Sequence, residues 1–355
     1  MNRFWSSTLN QLSPYVPGEQ AQQSDVIKLN TNEHALAPSA TALEAGRTID
    51  PERLRKYPDP HSRSLTTAIA KFCGLSEKNV LVANGSDEIL AFTWTAFLSD
   101  AEQQPAIPAM TYTFYPVWAQ MLGNGLHSVP MKQDLSIDLE AMSLWPGPIV
   151  FPNPNAPTAM GISLTAIEAL CRSNTNRLVV IDEAYHGFGA DTAAPLIARF
   201  DNLLITRSFS KSHALAGLRV GYALGAVQLI EGLRRVKDSF NSYPVDAHAQ
   251  AVAAAAISDD AWFQCASNTI IENRGELRLG LEGLGFVVLP SEANFVLAKH
   301  PKRTGVELTD KLRGKGILVR SWSSNDLKPW VRITVGTSTQ QKILLDALKL
   351  MLAET

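Results

Sequence analysis

A lysine flanked by hydroxyl-bearing residues follows an apolar run in the middle of this chain of 355 residues. The run at 203–206 has the length and composition of a strand, and it leads into Ser208, Ser210 and Lys211, with Arg219 eight residues further on. A primary amine in a hydrophobic, cationic setting has a lowered pKa and can condense with an aldehyde. Hydroxyls and a guanidinium are suitable ligands for a phosphate group. The segment therefore predicts an amine nucleophile beside a phosphate site.

A second apolar run, at 178–181, ends about thirty residues upstream in Asp182 and Tyr185. A carboxylate at the end of a buried strand is costly to desolvate unless a positive charge compensates it, and a protonated pyridine nitrogen would supply that charge. The alternative interpretation is that Asp182 caps a helix and that Tyr185 is a packing residue. A lysine, an aspartate, a tyrosine, hydroxyls and an arginine at strand ends are together what pyridoxal phosphate requires.

The elements that must position these residues form an alternating pattern of strands and helices. Apolar runs without polar alternation predict strands that are covered on both faces, and hence a mostly parallel sheet. Ligands bind at the carboxyl ends of the strands in such sheets. The predicted strands are 79–83, 148–151, 178–181, 203–206 and 220–224, and the predicted helices are 62–73, 87–98, 164–171 and 228–240.

The C-terminal part of the chain predicts a smaller α+β unit. It has a long helical region up to about residue 284, then predicted strands at 286–289, 294–297, 317–320 and 331–335 and a final helix at 339–352. The first forty residues are rich in Pro, Ser, Asn and Gln and predict an extended arm that completes this unit. Because the chain is long for one core, we expect a large domain at 44–242 and a smaller one formed by 1–43 and 243–355.

Composition excludes several classes of function. The chain is 45% hydrophobic and 19% charged, with a formal net charge of -2, which gives no electrostatic case for nucleic acid or an anionic membrane. Cys73, Cys171 and Cys265 show no paired spacing, so we expect neither a metal site nor disulfides, and a reducing compartment. No secretory leader is recognisable and no apolar stretch approaches the roughly 20 residues of a membrane span, so we expect a cytoplasmic protein.

These segments, in this order, resemble the fold-type I aminotransferases, and they are most similar to the histidinol-phosphate aminotransferases. The resemblance runs from Tyr15 to Thr337. It implies an α/β fold with a large cofactor-binding domain, a smaller α+β domain and an N-terminal arm, and pyridoxal 5'-phosphate as the cofactor. The cofactor-binding residues that it implies are Gly85, Ser86, Asp87, Tyr112, Asn155, Asp182, Tyr185, Ser208, Ser210, Lys211, Arg219 and, from a second subunit, Tyr57.

The resemblance also implies individual roles. Tyr112 would stack on the pyridine ring, and Tyr185 would hydrogen-bond the O3' oxygen and join Lys211 and Asp182 in catalysis. Tyr57 would reach the neighbouring subunit's phosphate, so the functional unit would be a homodimer with shared active sites. Arg332 would bind the substrate carboxylate through its two-pronged guanidinium. The substrate-binding residues implied are Tyr15, Asn32, Arg320 and Arg332.

The segment at 153–159, Asn-Pro-Asn-Ala-Pro-Thr-Ala, departs from the family pattern. Ala156 stands where the family usually has an asparagine that donates to O3'. Asn155 is the candidate substitute, although neighbouring side chains on a strand point in opposite directions. Ala159 replaces a turn glycine, whose place Gly161 could take. His34 and His213 also replace residues common in the family, which bears on the recognition of a phosphate-bearing substrate.

The activity implied by the resemblance is transamination in two half-reactions. Lys211 would act as general base and acid on the substrate Cα, while Asp182 keeps the ring nitrogen charged. Histidinol phosphate and glutamate, with 2-oxoglutarate as acceptor, form the expected pair, in histidine synthesis. An aromatic amino-acid aminotransferase, a threonine-phosphate decarboxylase-like lyase and a non-catalytic protein of the same fold remain alternatives. No Gly-x-Gly-x-x-Gly follows a strand, which argues against a nicotinamide enzyme.

Overall fold

The computed structural model describes residues 3–15, 17–20, 26–99 and 104–353. Its strands are β1 (Ile27–Lys28), β2 (Val80–Ala83), β3 (Ala106–Pro108), β4 (His127–Val129), β5 (Ile149–Pro152), β6 (Val179–Asp182), β7 (Leu203–Ser208), β8 (Gly221–Gly225), β9 (Val287–Val288), β10 (Phe295–Lys299), β11 (Ile317–Leu318), β12 (Arg320–Ser321) and β13 (Trp330–Thr334). Its α-helices are α1 (Ser7–Gln11), α2 (Ala40–Arg47), α3 (Pro51–Leu54), α4 (Arg63–Cys73), α5 (Gly85–Thr93), α6 (Tyr115–Met121), α7 (Leu139–Ser143), α8 (Leu164–Ser173), α9 (Phe209–Ser212), α10 (Val227–Phe240), α11 (Ala247–Ile257), α12 (Asp260–Gly283), α13 (Gly305–Arg313) and α14 (Ser338–Ala353).

A seven-stranded sheet in the order β2-β8-β7-β6-β5-β3-β4 organises the larger part of the molecule. Strand β8 runs antiparallel to both of its neighbours, while the pairings among β7, β6, β5, β3 and β4 are parallel. The predicted mostly parallel sheet is therefore confirmed. Strands β3 and β4 were not predicted, because at three residues each they are too short to show a periodic pattern.

The central strands are apolar on both faces because each face covers a separate core. In β5 and β6, Ile149, Phe151, Val179 and Ile181 pack into one cluster, and the residues between them pack into a second cluster on the opposite side. Every residue of β5, β6, β7 and β8 is buried. An uninterrupted apolar run is the expected sequence signature of such strands.

Helix α11 packs in the core of the large sheet rather than with the smaller unit. Ala249, Val252, Ala253 and Ala256 belong to the same apolar cluster as the large-sheet strands. The helix starts four residues beyond the predicted domain boundary at 242–243. We therefore propose a boundary between α11 and α12, near Ser258.

The smaller unit is an antiparallel sheet, β12-β13-β10-β9, packed with α12, α13 and α14 around its own apolar cluster. Strand β1 of the N-terminal arm pairs in parallel with β11, so the arm is part of this unit. The predicted strand at 317–320 is two strands, because the chain leaves the pairing with β1 at Leu318 and pairs with β13 from Arg320 onward.

Within the described residues, no helix combines the length and the apolar character that crossing a bilayer requires. The same residues contain no group of three or more histidine, cysteine, aspartate or glutamate side chains that could hold a metal ion.

Candidate active site

A cavity of about 960 Å³ lies where the carboxyl ends of β5, β6 and β7 meet the small sheet. Its wall brings together most of the residues that the sequence predicted for the site. They are Tyr15, Asn32, Ser86, Asp87, Tyr112, Asp182, Tyr185, Ser208, Ser210, Lys211, Arg219, Arg320 and Arg332. The cavity wall does not include Gly85, Asn155 or Tyr57.

Lys211 lies in α9, directly after β7, and its side chain extends into the cavity. Its Nζ donates a hydrogen bond to the backbone oxygen of Thr31, at 2.8 Å. Burial lowers the pKa of the Lys211 ammonium to about 8; the charge of Glu33 opposes this shift and that of Arg332 adds to it. The amine is consequently available as a nucleophile and base nearer to neutral pH than an exposed lysine.

Asp182 is a buried carboxylate at the end of β6. Its Oδ2 accepts from Tyr115 Oη at 3.2 Å, and its Oδ1 accepts from Thr206 Oγ1 at 3.2 Å and from the Ala184 N–H at 3.1 Å. Burial raises the pKa of Asp182 to about 7, although these hydrogen bonds oppose the shift. The described residues place no lysine or arginine in an ion pair with it, so the site fits a cationic ring nitrogen as its partner.

The start of α5 forms one side of an anion cradle. Helix α5 begins right after β2 and offers unpaired N–H groups at Ser86 and Asp87, which line the cavity. Gly85 has a φ of +80°, and a Cβ there would lie 2.8 Å from Nη2 of Arg219. A Cβ on Gly221 would lie 2.3 Å from backbone atoms of Gly85 and Ser86, so β8 and the α5 turn can approach this closely because position 221 has no side chain.

Side chains from the end of β7, from α9 and from the segment just before β8 complete this cradle. Arg219 Nη2 donates to Asp87 Oδ2 at 3.0 Å, and Arg219 Nη1 lies 3.4 Å from the Ser210 hydroxyl. Ser208 Oγ accepts from the Ser210 N–H at 3.0 Å. Asp87 Oδ1 also accepts from Tyr112 Oη at 3.0 Å, which ties the aromatic ring to the same cluster. A guanidinium, two hydroxyls and a helix N-terminus therefore converge on one point of the wall.

Tyr185 lines the cavity and is positioned by the N-terminal arm. Its Oη accepts from Asn32 Nδ2 at 2.9 Å. Asn32 is buried, and its Oδ1 accepts from Thr334 Oγ1 at 3.1 Å. Because both ends of its amide are engaged, Asn32 acts on the site through Tyr185, in addition to lining the cavity.

Asn155 is held outside the cavity. It is fully buried, and its Nδ2 donates to the Met110 backbone oxygen at 2.9 Å and to Thr158 Oγ1 at 3.0 Å. Its Oδ1 accepts from Thr111 Oγ1 at 3.2 Å. Ala156 is the residue that lines the wall. Asn155 is therefore not placed for the cofactor contact suggested by the sequence, because its amide is already satisfied by protein groups and it does not line the cavity.

The turn expected at Gly161 is made at Ala159. Ala159 has a φ of 64°, in the left-handed region that favours glycine, whereas Gly161 does not have a positive φ. The Ala159 N–H donates to the Asn155 backbone oxygen at 2.8 Å, and the Ala159 backbone oxygen accepts from the Glu292 N–H at 2.8 Å. These two bonds hold an alanine in a conformation that it rarely adopts.

His34 and His213 do not line the cavity. Both rings lie among aromatic side chains between the two units, His213 stacking on Phe263 and His34 lying near Trp262. Burial lowers the pKa of His34 to about 4 and that of His213 to about 3, so both rings are neutral at ordinary pH. Neither of these two departures from the family pattern therefore lies on the cavity wall.

Two arginines lie side by side on adjacent strands of the small sheet. Arg320 of β12 and Arg332 of β13 are direct register partners, and both line the cavity. Burial lowers the pKa of Arg332, and the neighbouring charge of Arg320 lowers it further. Like charges directly opposite on a sheet repel each other. The described ion pairs include no carboxylate on either arginine, so this end of the cavity fits an anion.

An apolar wall lies next to the arginines. Met110 and Leu327 are buried, and Met131, Leu135 and Trp322 pack beside them in one cluster that also lines the cavity. The cluster joins a loop of the large unit to the segment that follows β12. A flat ring attached to an anionic group would fit against it.

The cavity contains the groups needed for pyridoxal phosphate. Lys211 provides an amine, and Asp182 provides a carboxylate without a cationic partner among the described residues. Tyr112 provides an aromatic ring, and the α5 turn provides a phosphate cradle, in the same cavity. The fit rests on these donor and acceptor types and on the buried carboxylate that has no cationic partner.

Three contributing residues were not predicted from the sequence. Tyr115 and Thr206 donate to Asp182, and Gly221 permits the close approach at the cradle. Thr206 is two residues before Ser208, so the period of a strand could have placed it on the same face. Tyr115 and Gly221 act through contacts with segments that are distant in sequence.

Comparison with known proteins identifies the relatives of the chain. Residues 24–348 match the family described as aminotransferase class I and II. The histidinol-phosphate aminotransferase of Gluconacetobacter diazotrophicus is 49% identical over 98% of this chain and 98% of its own length. Histidinol-phosphate aminotransferase 1 of Bradyrhizobium diazoefficiens is 48% identical over 98% of this chain and 99% of its own length.

Solved structures share the fold. The histidinol-phosphate aminotransferase of Sinorhizobium meliloti in complex with pyridoxal-5'-phosphate superposes with a TM-score of 0.89 at 23% identity, covering 100% of this chain and 99% of the other. The aspartate aminotransferase of Thermus thermophilus with maleate superposes with a TM-score of 0.82 at 20% identity, covering 98% of this chain and 99% of the other. At these identities the likeness concerns the fold, and it confirms the fold class expected from the sequence.

Proposed function

The chain belongs to the class I and II aminotransferases, and we propose that it transfers the amino group of histidinol phosphate to 2-oxoglutarate in histidine biosynthesis. It is a pyridoxal-phosphate-dependent transferase of amino groups. The amino donor follows the relatives that are 48% and 49% identical over nearly the whole chain and are named histidinol-phosphate aminotransferases.

Lys211 and Asp182 would perform the proton chemistry. When bound, pyridoxal phosphate supplies an aldehyde for amines and a ring that takes up negative charge from the reacting carbon. Lys211 Nζ, with its pKa lowered to about 8, would remove the proton from the donor Cα and deliver it to the carbon that carries the aldehyde in the free cofactor. Asp182 holds the positive charge of the ring nitrogen at the other end of the site, with Tyr115 and Thr206 fixing its carboxylate.

Other residues of the cavity would bind and orient. Ser208, Ser210, Arg219 and the α5 turn hold the cofactor phosphate, and Tyr112 covers the ring face. Tyr185 donates to the ring oxygen from the position in which Asn32 holds it. Ala156 leaves this tyrosine without the neighbouring amide that the family usually has.

The cross-strand pair of Arg320 and Arg332 is the observation that carries the choice of donor. Two guanidiniums without a carboxylate partner suit a phosphate dianion better than a single carboxylate. Tyr15 also lines this end of the cavity, and the adjoining apolar wall accommodates an imidazole ring. The same wall accepts the ring of phenylalanine, so an aromatic donor is the second candidate.

Steady-state assays with histidinol phosphate, phenylalanine and threonine phosphate test the donor. We expect kcat/KM for histidinol phosphate to exceed that for phenylalanine at least about 100-fold, because phenylalanine leaves one arginine without an anion. Phenylalanine turning over as fast would overturn the assignment, and release of carbon dioxide from threonine phosphate would point to a lyase. Lys211→Ala should abolish turnover and the absorbance band that depends on the imine bond between Lys211 and the cofactor.

The contribution of the arginine pair is measured with Arg320→Gln. Loss of one charge-assisted contact of about 1.5–3 kcal/mol predicts a KM for histidinol phosphate raised about 10- to 150-fold. The matched control is Arg278→Gln, because Arg278 lies on the surface of α12 and pairs with Glu282. An unchanged KM in Arg320→Gln would show that the phosphate binds elsewhere.

The proposal includes a homodimer with shared active sites. Tyr57 is 83% exposed and stacks on Tyr243, with ring centroids 4.7 Å apart, while Phe240 and Leu54 are 78% and 64% exposed. Apolar side chains exposed together favour contact with a second copy. A cytoplasmic location without nucleic-acid or membrane partners belongs to the same proposal, and the three free cysteines support a reducing compartment.

A further inference from the structure

Arg332 lies between two aromatic rings. Its guanidinium carbon is 5.3 Å from the centroid of Phe295 on one side and 5.8 Å from the ring of Trp322 on the other. The guanidinium donates to the Asn30 backbone oxygen through Nη2 at 2.8 Å, while its buried Nε has no partner among the described residues. The rings thus occupy the space around a cation that has few hydrogen bonds.

The strand register places both rings beside Arg332. Arg332 is the direct partner of Leu297 on β10 and of Arg320 on β12. Phe295 and Trp322 are each two residues from those partners, which puts them on the same face of the sheet at the diagonal positions. Two rings at diagonal positions, one on β10 and one directly after β12, therefore flank the arginine of the middle strand.

We propose that Phe295 and Trp322 are positioning residues that fix the plane of the Arg332 guanidinium and so determine how tightly it binds the donor's anion. The inference deepens the proposed function, because it concerns the same anion site. A guanidinium stacked between rings can offer hydrogen bonds only through its edge. Since the rings also exclude water, the charge acts at short range in a medium of low dielectric constant.

Phe295 has a second contact that Trp322 lacks. Its ring packs edge-on against Tyr185, with centroids 5.0 Å apart, and it clusters with Ala156 and Ala159. Phe295 therefore connects the anion site to the side of the cavity assigned to the cofactor. A change at Phe295 should alter both sites, whereas Trp322, within the described part of the chain, contacts only the donor side of the cavity, through Arg332 and the apolar wall. Binding of inorganic phosphate, which carries no ring, reports the effect through Arg332. For this reason Trp322 is the residue to test.

The experiment compares the holoenzymes of wild type, Trp322→Leu and Trp322→Phe. Trp322→Leu should raise KM for histidinol phosphate about tenfold, equivalent to about 1.4 kcal/mol, with kcat within about twofold. Trp322→Phe keeps a ring over the arginine and should recover most of the affinity. Calorimetric titration with inorganic phosphate, which needs no turnover, should show the same order of affinities.

Trp145→Leu is the matched control. Trp145 stacks on His127 at 3.7 Å and does not line the cavity, so its loss should leave phosphate affinity and KM unchanged. The proposal is overturned if Trp322→Leu binds phosphate as wild type does, or if kcat falls while KM stays. Should Trp322→Leu fail to fold, Trp322→Gln removes the aromatic face as well and should weaken phosphate binding about tenfold, while Trp322→Phe should stay within about threefold of wild type. Equal affinities in these two variants would overturn the proposal.

The two proposals fail in different ways. If histidinol phosphate is not a donor for wild type but Trp322→Leu still weakens phosphate binding, the positioning role stands and the choice of donor is wrong. If histidinol phosphate is the preferred donor and Trp322→Leu leaves its KM unchanged, the donor stands and the positioning role is wrong.

Discussion

Lys211 shows how position alone alters the chemistry of a residue. The apolar surroundings and the cations near it destabilise its ammonium form, and Glu33 compensates only in part. Asp182 shows the opposite case, since burial stabilises its protonated form and raises its pKa to about 7. Two groups whose pKa values move toward neutrality from opposite directions, on the wall of one cavity, are typical of an active site.

The pKa of Lys211 predicts its reactivity in the cofactor-free protein. Because burial favours the neutral amine, reductive methylation of Lys211 should rise with pH around a midpoint near 8 and level off above it. Mass spectrometry of the peptide that contains Lys211 measures the rate at each pH. Lys71, an exposed lysine of α4, is the internal control. A shared midpoint for the two lysines would contradict the prediction.

At the scale of elements, β6 and β7 carry functional residues on one face and an ion pair on the other. Asp182 and Thr206 are register partners, and the next residues along, Glu183 and Arg207, turn to the opposite side. Arg207 Nε donates to Glu183 Oε2 at 2.8 Å, and both side chains are buried. The pair therefore joins the two strand ends at the level of the active site.

Removing one member of that pair should destabilise the whole fold. Arg207→Met leaves the Glu183 carboxylate buried without its counter-charge, which predicts a loss of about 3–5 kcal/mol in the free energy of unfolding. Denaturant titration measures it. Arg278→Gln, at an exposed pair, should change the same quantity by less than about 1 kcal/mol. Equal effects in the two variants would mean that the buried pair has no special role.

The contact between β8 and the start of α5 gives a second prediction at this scale. Gly221→Ala places a Cβ where backbone atoms lie 2.3 Å away, so the strand and the α5 turn must separate. We expect the affinity for pyridoxal phosphate to fall at least about tenfold, since the cradle loses its geometry. Gly217→Ala is the control, because a Cβ there meets nothing within 4 Å. Equilibrium dialysis against pyridoxal phosphate, with bound cofactor quantified by absorbance, measures the affinity of both variants.

For the whole molecule, the exposed Tyr57 makes the dimer testable. If Tyr57 serves the partner's site, Tyr57→Ala and Lys211→Ala should each lose most activity as separate proteins. Mixed dimers should regain activity, because one of their two sites combines an intact lysine with a tyrosine from the other subunit. The expected recovery is about a quarter of wild-type activity in a statistical mixture of equal parts, where half of the dimers are hybrids with one complete site each.

The activity of mixed and unmixed samples, after subunit exchange, measures this recovery. Tyr243→Ala alone is the comparison, because it removes the ring on which Tyr57 stacks and leaves Tyr57 itself in place. No recovery in samples that contain hybrid dimers would show that Tyr57 acts within its own subunit or not at all.

Much of the molecule follows from the sequence by itself. Uninterrupted apolar runs predicted the mostly parallel sheet, because a strand covered on both faces has no polar positions to alternate with. The residues with functional side chains stand at the ends of those runs, and parallel strands bring their carboxyl ends to one edge. Lys211, Asp182 and Ser208 could therefore be assigned to one site from local pattern and order along the chain.

The tertiary structure decided the directions of side chains and their distant partners. Asn155 turns away while Ala156 lines the cavity, and Arg320 meets Arg332 only because β12 pairs with β13. Phe295 reaches the same arginine from a third strand. The periodicity of a segment indicates that a residue is buried. Which groups that residue contacts depends on pairings between segments far apart in the chain. Those pairings are set by the packing of the whole fold.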